Sequence, residues 1–300
     1  MRAVYYSLVL TNESEVYENQ WIRSIRSLRK FNSTIPVHLF LFNNPAQTFL
    51  QKAEQYGVIV HSLGSYREHL RELAGNAGEV LSCVPTLNKL LPLGYFSSDV
   101  PRLLFLDCDT FFFGDVDSLF ERYQKCHWYA REEAHSKKNV LLGYRPTDTD
   151  EDVLHRIAAQ TGAAPIPPYN SGVVLLNHGI AAELFDLRRE FVRYAWRLSL
   201  GACNSEALDL PEDLRNALAS VNSGGFGGAL EYPSGSFWIL EQVALWLTLG
   251  RIPGLTHEPF SMSDVIQNGE FMLFRSYRTK CTVVHYFGGN EALFLQDAKV

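Results

Sequence analysis

The sequence is short of several things, and each shortage removes a class of function. No apolar run approaches the ~20 residues that a bilayer-spanning helix requires. The run Val4–Leu10 is too short for the core of a secretion signal and reads as a first buried strand. Cysteine is sparse: Cys83, Cys108, Cys126, Cys203 and Cys281 make an odd five, with no Cys-x-x-Cys pair and no His/Cys ladder. That pattern excludes a disulfide framework and a structural zinc site, and it fits reduced thiols in a cytoplasmic protein. Charged residues are only 20% of the chain, yet 46% is hydrophobic, which argues against extensive disorder and for a sizeable core. Cationic excess is missing too. The formal net charge of -6 excludes broad nonspecific binding to nucleic acid, although a few lysines and a cation suffice to hold one diphosphate.

What is present reads as one α/β domain, with a mostly parallel central sheet flanked by helices. Asn12 and Glu15 suit a helix start, and Tyr17, Trp21, Ile25 and Leu28 then recur at helical spacing. Ile35–Phe42 predicts a second strand. A helix follows from Asn43 to about Tyr56, Gly57 ends it, and Val58–Val60 is a short third strand. This β-α-β-α-β alternation predicts a sheet that binds ligands at the carboxyl ends of its strands. Residues 65–100 read as helical and connecting, and Leu103–Leu106 is apolar enough to be central. A helix is expected near 116–125, an irregular and partly acidic stretch over 131–165, and a strand at Val173–Leu176. A long amphipathic helix over 181–199, a loop over 200–236 that is glycine-rich from Asn222 to Ser236, a helix over Phe237–Leu249 and a late strand at Thr282–His285 complete the expectation.

Five motifs carry chemistry. Asp107-Cys108-Asp109 follows the most apolar strand directly. Two carboxylates at a buried strand tip are costly to desolvate unless something pairs with them, and a divalent cation is the natural partner. Residues i and i+2 of an extended chain point the same way, so both carboxylates can face one ion. The pairs Asp115/Asp117, Asp148/Asp150 and Asp150/Asp152 sit in polar loop or helix-start sequence and read as caps and turns. Tyr169-Asn170-Ser171-Gly172 precedes an apolar strand and offers amide, hydroxyl and bare backbone for sugar hydroxyls. His285 ends a strand before Gly288-Gly289 and is a candidate third metal ligand. Glu241-Gln242 lies on a helix, either on its solvated face or toward a cleft. Lys89, in Thr86-Leu87-Asn88-Lys89-Leu90, is either a surface lysine or a point charge for phosphate.

In this order the motifs resemble those of the glycogenin and bacterial lipopolysaccharide galactosyltransferase family of retaining GT-A glycosyltransferases, from about residue 3 to 290. The resemblance implies Mn²⁺ (or Mg²⁺) and a nucleotide-sugar donor such as UDP-glucose or UDP-galactose. It implies that Asp107, Asp109 and His285 bind the metal. Thr11, Asn12 and Tyr17 would lie near base and ribose, and Lys89 near the phosphates. Asn170, Ser171, Glu241 and Gln242 would face the donor sugar or the reaction centre, and Leu10, Cys108 and Gly288 complete the donor-contacting set. Three features depart from the family. Glu241 stands where the family has Asp, Gly288-Gly289-Asn290 replaces a Lys-Pro-Trp, and the interval from Asn170 to Glu241 is long.

The expected function is therefore metal-dependent transfer of a sugar to an acceptor: a saccharide, glycolipid, protein or small metabolite. Residues 1–110 would form the nucleotide-binding half and 111–300 the acceptor-binding half. Two other readings use the same motifs. One is a sugar nucleotidyltransferase, although Leu10-Thr11-Asn12-Glu13 lacks the basic, glycine-rich loop such enzymes carry near the N-terminus. The other is a catalytically degenerate GT-A scaffold that binds a sugar or a protein.

Overall fold

The computed structural model describes residues 1–11, 14–96, 100–133, 151–202, 230, 240–267, 277–286, 294, 296 and 297. Asn12, Gly288 and, Leu230 apart, the glycine-rich stretch 222–236 lie outside them. The first half alternates as read: β1 (Arg2–Val9), α1 (Ser14–Phe31), β2 (Val37–Phe42), α2 (Gln47–Gln55), β3 (Ile59–Ser62) and α3 (Tyr66–Leu81). Two short 3₁₀ turns, Pro85–Asn88 and Leu91–Tyr95, lead into β4 (Arg102–Leu106). Then come β5 (Thr110–Phe112), α4 (Asp117–Arg122), β6 (Trp128–Glu132), α5 (Glu151–Thr161) and β7 (Tyr169–Leu176). The remaining described elements are α6 (Ile180–Asp186), α7 (Arg188–Ala202), α8 (Leu240–Leu249), β8 (His257–Pro259), β9 (Val265–Gln267) and β10 (Val283–His285).

Seven strands form the main sheet in the order β3-β2-β1-β4-β7-β6-β8. The pairings are parallel except where β7 meets β4 and β6. Strands β1, β2 and β4 read as near-continuous apolar runs because both of their faces are covered. Alternate residues feed two cores. Tyr5, Phe40, Leu103 and Phe105 pack with α3, α7 and α8, whereas Tyr6, Leu39, Leu104 and Leu106 pack with Trp21 and Ile25 of α1 and Phe49 of α2. Gly57 closes α2 with a φ of 61°, a conformation that glycine adopts without strain. A smaller sheet, β5-β10-β9, stands beside the carboxyl end of β4.

The structure differs from expectation in three places. The stretch read as irregular, 131–165, contains the end of β6 and the whole of α5. Strand β6 is flanked by His127 and Glu133, which mask its alternation, and α5 follows an acidic lead that reads as loop. The single helix expected over 181–199 is two, α6 and α7, broken at Leu187. Tyr17, counted on the buried stripe of α1, is 41% exposed, while Trp21, Ile25 and Leu28 are buried. The described cysteines are free thiols, and among the described residues no helix is long and apolar enough to cross a membrane.

The edge of the sheet carries an acid-sensitive pair. His38 Nδ1 lies 3.0 Å from His61 Nε2, and the His38 ring stacks near Phe40 with Phe96 edge-on. Burial first, then the charge of His61, pushes the His38 imidazole down to about 4. A folded value below the ordinary 6.5 means the stabilising contribution is complete above pH 6.5 and is lost as pH falls toward 4. Thermal midpoints of the wild type are expected to slope downward across that window, and less steeply in His38→Phe. Identical slopes would remove His38 from the account.

Candidate active site

The site lies at the carboxyl end of β4. Leu106 ends the strand and Asp107, Cys108 and Asp109 form a turn rather than the extended segment expected from the sequence. Two bonds close the turn. Asp107 N–H donates to Gly172 O at 2.8 Å, and Thr110 Oγ donates to Asp107 O at 2.8 Å. Strand β10 pairs antiparallel with β5 and sets His285 opposite Thr110. Tyr286 N–H donates to Asp109 O at 2.9 Å, which locks the histidine strand to the aspartate turn. His285 Nε2 then sits 3.2 Å from Asp109 Oδ1 and 3.7 Å from Asp107 Oδ2. One ligand atom from each of the three residues falls within 4.8 Å of the others.

Gly172 makes this approach possible. A Cβ there would lie 2.1 Å from Cε1 and 2.3 Å from Nε2 of His285, so any other side chain would displace the imidazole. The glycine of the Asn-Ser-Gly motif lies inside β7 rather than in a turn before it, and it is a packing requirement of the histidine.

A buried relay supports the turn from behind. Tyr6 OH, Ser24 Oγ and Thr110 Oγ lie in a chain with successive distances of 2.8 Å and 2.8 Å, and all three residues are fully buried. Each hydroxyl has one proton. Thr110 spends its proton on Asp107 O, so Ser24 must donate to Thr110 and Tyr6 to Ser24. Ser24→Ala strands the Tyr6 proton and leaves Thr110 without its donor, at a cost of about 1–3 kcal/mol. The expected outcome is a lowered thermal midpoint with Mn²⁺ binding weakened about tenfold, as for other changes behind a metal ligand. Unchanged Mn²⁺ titration would show that the relay does not position the turn.

Beside the three ligand candidates is an ionic cluster. Lys89, from the first 3₁₀ turn, is 5% exposed, and Phe105 lies under its ammonium with the ring centroid 5.3 Å away. Its Nζ donates to Asp107 Oδ2 at 3.1 Å and Ser171 Oγ at 2.8 Å, and lies 3.2 Å from Glu241 Oε1. Helix α8 docks on β7 through the Trp246 indole, which donates to Tyr169 O at 2.8 Å. That docking turns Glu241 and Gln242 inward. Both are buried, Ser171 Oγ donates to Glu241 Oε2 at 3.2 Å, and Ser171 N–H donates to Gln242 Oε1 at 3.0 Å.

One ammonium thus serves two carboxylates. Burial alone would push Lys89 down, but the charges of Asp107 and Glu241 hold it above its ordinary value. Burial, reinforced by Asp107, raises Glu241, even though Lys89 and Ser171 oppose the shift. Burial would lower His285, yet the charges of Asp109 and Asp107 and the Asp109 contact carry it above its ordinary value. Burial, then Asp109 and Asp107, push the Cys108 thiol well up. That thiol donates to Gln20 Oε1 at 3.3 Å.

The structure brings together Asp107, Asp109, His285, Lys89, Asn170, Ser171, Glu241 and Gln242, from positions up to 196 apart by number (285 − 89). Leu10 and Thr11 stand at the end of the neighbouring β1. Leu10 is buried and its carbonyl accepts from Asn43 Nδ2 at 2.7 Å, while Thr11 is exposed. Tyr17 lies on the exposed side of α1. Glu133 was not legible in the sequence. It is 1% exposed and accepts from Asn170 Nδ2 at 3.1 Å, placing a fourth carboxylate near the cluster. Its only sequence signal was its position after the run His127–Glu132. Asp115 and Asp117 are structural: Asp115 Oδ1 accepts from Asp117 N–H and from Asn32, and Asp117 pairs with Arg2.

A divalent cation fits these residues. Asp109 Oδ1 is buried and accepts no hydrogen bond, so it faces His285 as an unsatisfied carboxylate oxygen. Two carboxylates with one imidazole form a donor set that suits Mn²⁺ or Mg²⁺.

No family model matches the chain, and no curated protein matches it in sequence. Solved structures do match in three dimensions. The bifunctional glycosyltransferase WbbM, in its apo form, superposes with a TM-score of 0.53 at 12% identity, over 96% of this chain and 46% of that one. The chain shares its fold with part of a solved glycosyltransferase. Mouse xyloside xylosyltransferase 1 in its apo form matches at 11% identity and a TM-score of 0.49, over 95% of this chain and 97% of that one. The galactosyltransferase LgtC, in complex with donor and acceptor sugar analogs, matches at 13% identity and 0.49, over 99% and 95%. At 12% identity the likeness to WbbM speaks for the α/β fold alone, which is the fold expected from the sequence.

Proposed function

We propose that this protein is a metal-dependent glycosyltransferase that moves a hexose from a UDP-sugar to an acceptor with retention of configuration. The observation that carries the reading is the convergence of Asp107, Asp109 and His285 beside the buried Lys89–Glu241–Ser171 cluster. The shared fold with a solved glycosyltransferase supports it. Residues 1–110 are assigned to nucleotide binding and 111–300 to the acceptor.

Asp107, Asp109 and His285 would hold Mn²⁺ or Mg²⁺. A cation held there would supply Lewis-acid stabilisation of charge on the leaving diphosphate. Lys89 adds a fixed positive charge and keeps the carboxylates of Asp107 and Glu241 apart. Ser171 donates its hydroxyl to Glu241 and its N–H to Gln242, which sets Glu241 in one orientation before charge develops. Asn170 is fixed at both ends of its amide, which donates to Glu133 and accepts from the Gly172 N–H. Thr11 and Tyr17 are assigned to the nucleoside end.

The reading is tested by thermal shift with a panel of nucleotide sugars, each with and without Mn²⁺. A donor that raises the midpoint only when Mn²⁺ is present is the expected outcome. Stabilisation by no donor in the presence of Mn²⁺ would contradict it, and pyrophosphate release from a nucleoside triphosphate and a sugar phosphate would favour a nucleotidyltransferase instead.

A further inference from the structure

A second cleft lies behind the metal loop, on the outer side of α1, and plays no part in the reaction proposed above. Its volume is about 500 Å³, within the range of cavities that enclose small ligands. One wall is α1, which contributes Arg23, Arg26 and Lys30. Spacings of three and four residues put these cations on one side of the helix. The opposite wall is β5 and the residue after it, with Phe111 and Phe113 packed at 5.1 Å between ring centroids. Phe31 and Tyr56 close one end.

The charge balance of the cleft is lopsided. The chain carries a net charge of -6, yet three cations converge here. No carboxylate among the described residues pairs with Arg23 or Arg26. Asp297 reaches the lining, but its oxygens are already engaged by Arg278 at 2.7 and 3.0 Å and by the Tyr286 hydroxyl. Arg23 already meets an aromatic face, with its guanidinium carbon 5.8 Å from the Phe294 centroid. An ordinary solvated helix face would not look onto a wall of phenylalanines. Phe31, 40% exposed, has apolar surface still to bury.

We propose that this cleft is a binding site for a small molecule that carries an anionic group on a flat, apolar body. Arg23 and Arg26 would take the anion through charge-assisted hydrogen bonds, and Phe111, Phe31 and Tyr56 would cover the body. Phe111 directly follows Thr110 and pairs with Val284, the neighbour of His285, so the cleft backs onto the strand pair that carries His285.

The probe is 8-anilinonaphthalene-1-sulfonate, titrated into the whole folded protein and followed by fluorescence. Saturable binding at one site is expected, weakened about tenfold or more by the double change Arg23→Glu and Arg26→Glu. Both side chains are surface-accessible, so the thermal midpoint should hold. If the double variant does not fold, Arg26→Gln alone is expected to weaken the probe by a few-fold. UDP with Mn²⁺ should leave the titration intact, because the donor site is elsewhere. Equal binding by wild type and variant, or displacement by UDP with Mn²⁺, would overturn the proposal. Displacement by inorganic phosphate at the probe's own concentration would overturn the flat-body part of it.

Discussion

Asp109→Asn is expected to abolish Mn²⁺-dependent turnover and to weaken Mn²⁺ binding by at least about a hundredfold, while the thermal midpoint of the metal-free protein changes little. The substitution is nearly isosteric and keeps the turn, whose bonds run through the Asp109 carbonyl and the Thr110 hydroxyl rather than through the carboxylate. It removes one of only two carboxylates in the donor set. Losing a partner behind a ligand typically costs 10–100-fold in affinity, and losing a ligand itself costs more. Calorimetric titration with Mn²⁺ checks it. Wild-type affinity in Asp109→Asn would take that residue out of the metal site, whatever happened to activity.

Lys89→Met is expected to destabilise the fold by about 3–5 kcal/mol, the cost of leaving a buried charge without its partner. Methionine fills similar volume, so the loss is electrostatic rather than a cavity. Glu241, 2% exposed, would keep the Ser171 hydroxyl as its hydrogen-bond donor, and Asp107 would lose the one cationic contact it has among the described residues apart from His285. The companion change Glu241→Gln removes the stranded charge. The double variant Lys89→Met/Glu241→Gln is therefore expected to recover part of the stability lost in Lys89→Met. Denaturant unfolding of the two single variants and the double completes the cycle. Additive losses would mean that Lys89 and Glu241 are not coupled, and that the cluster is held by Asp107 alone.

The parts of the fold legible in the sequence are those whose local pattern coincides with their tertiary surroundings. Strands β1, β2 and β4 are covered on both faces and announce themselves as unbroken apolar runs. Helix α1 shows its buried stripe through Trp21, Ile25 and Leu28. Strands β5, β8 and β9 have three residues each, too few to show a period. Their existence depends on partners far away in the chain. Helix α5 is introduced by a stretch of acidic and polar residues, which hides it.

The candidate site divides along the same line. Asp107 and Asp109 stand out because two carboxylates at the end of an apolar strand contradict burial unless something is bound there. His285 stands out only in their company. The burial of Lys89 is invisible in Thr86–Leu90, since the carboxylates that neutralise it arrive from β4 and α8. Glu241 and Gln242 look amphipathic on paper, yet all of α8 is buried because the sheet covers one side and α7 packs against another. The need for glycine at 172 is set by an imidazole 113 positions later (285 − 172), a constraint that local sequence cannot display. Glu133 was missed for a related reason: its partner, Asn170, comes from the adjacent strand.

The proposed sugar transfer depends on a metal held by Asp107, Asp109 and His285. The most direct measurement is release of nucleoside diphosphate from a UDP-hexose, followed with Mn²⁺, with chelator, and in Asp109→Asn. Steady release is expected from the wild type with Mn²⁺, and none in the other two. Equal release in the presence of chelator, or by Asp109→Asn, would contradict it.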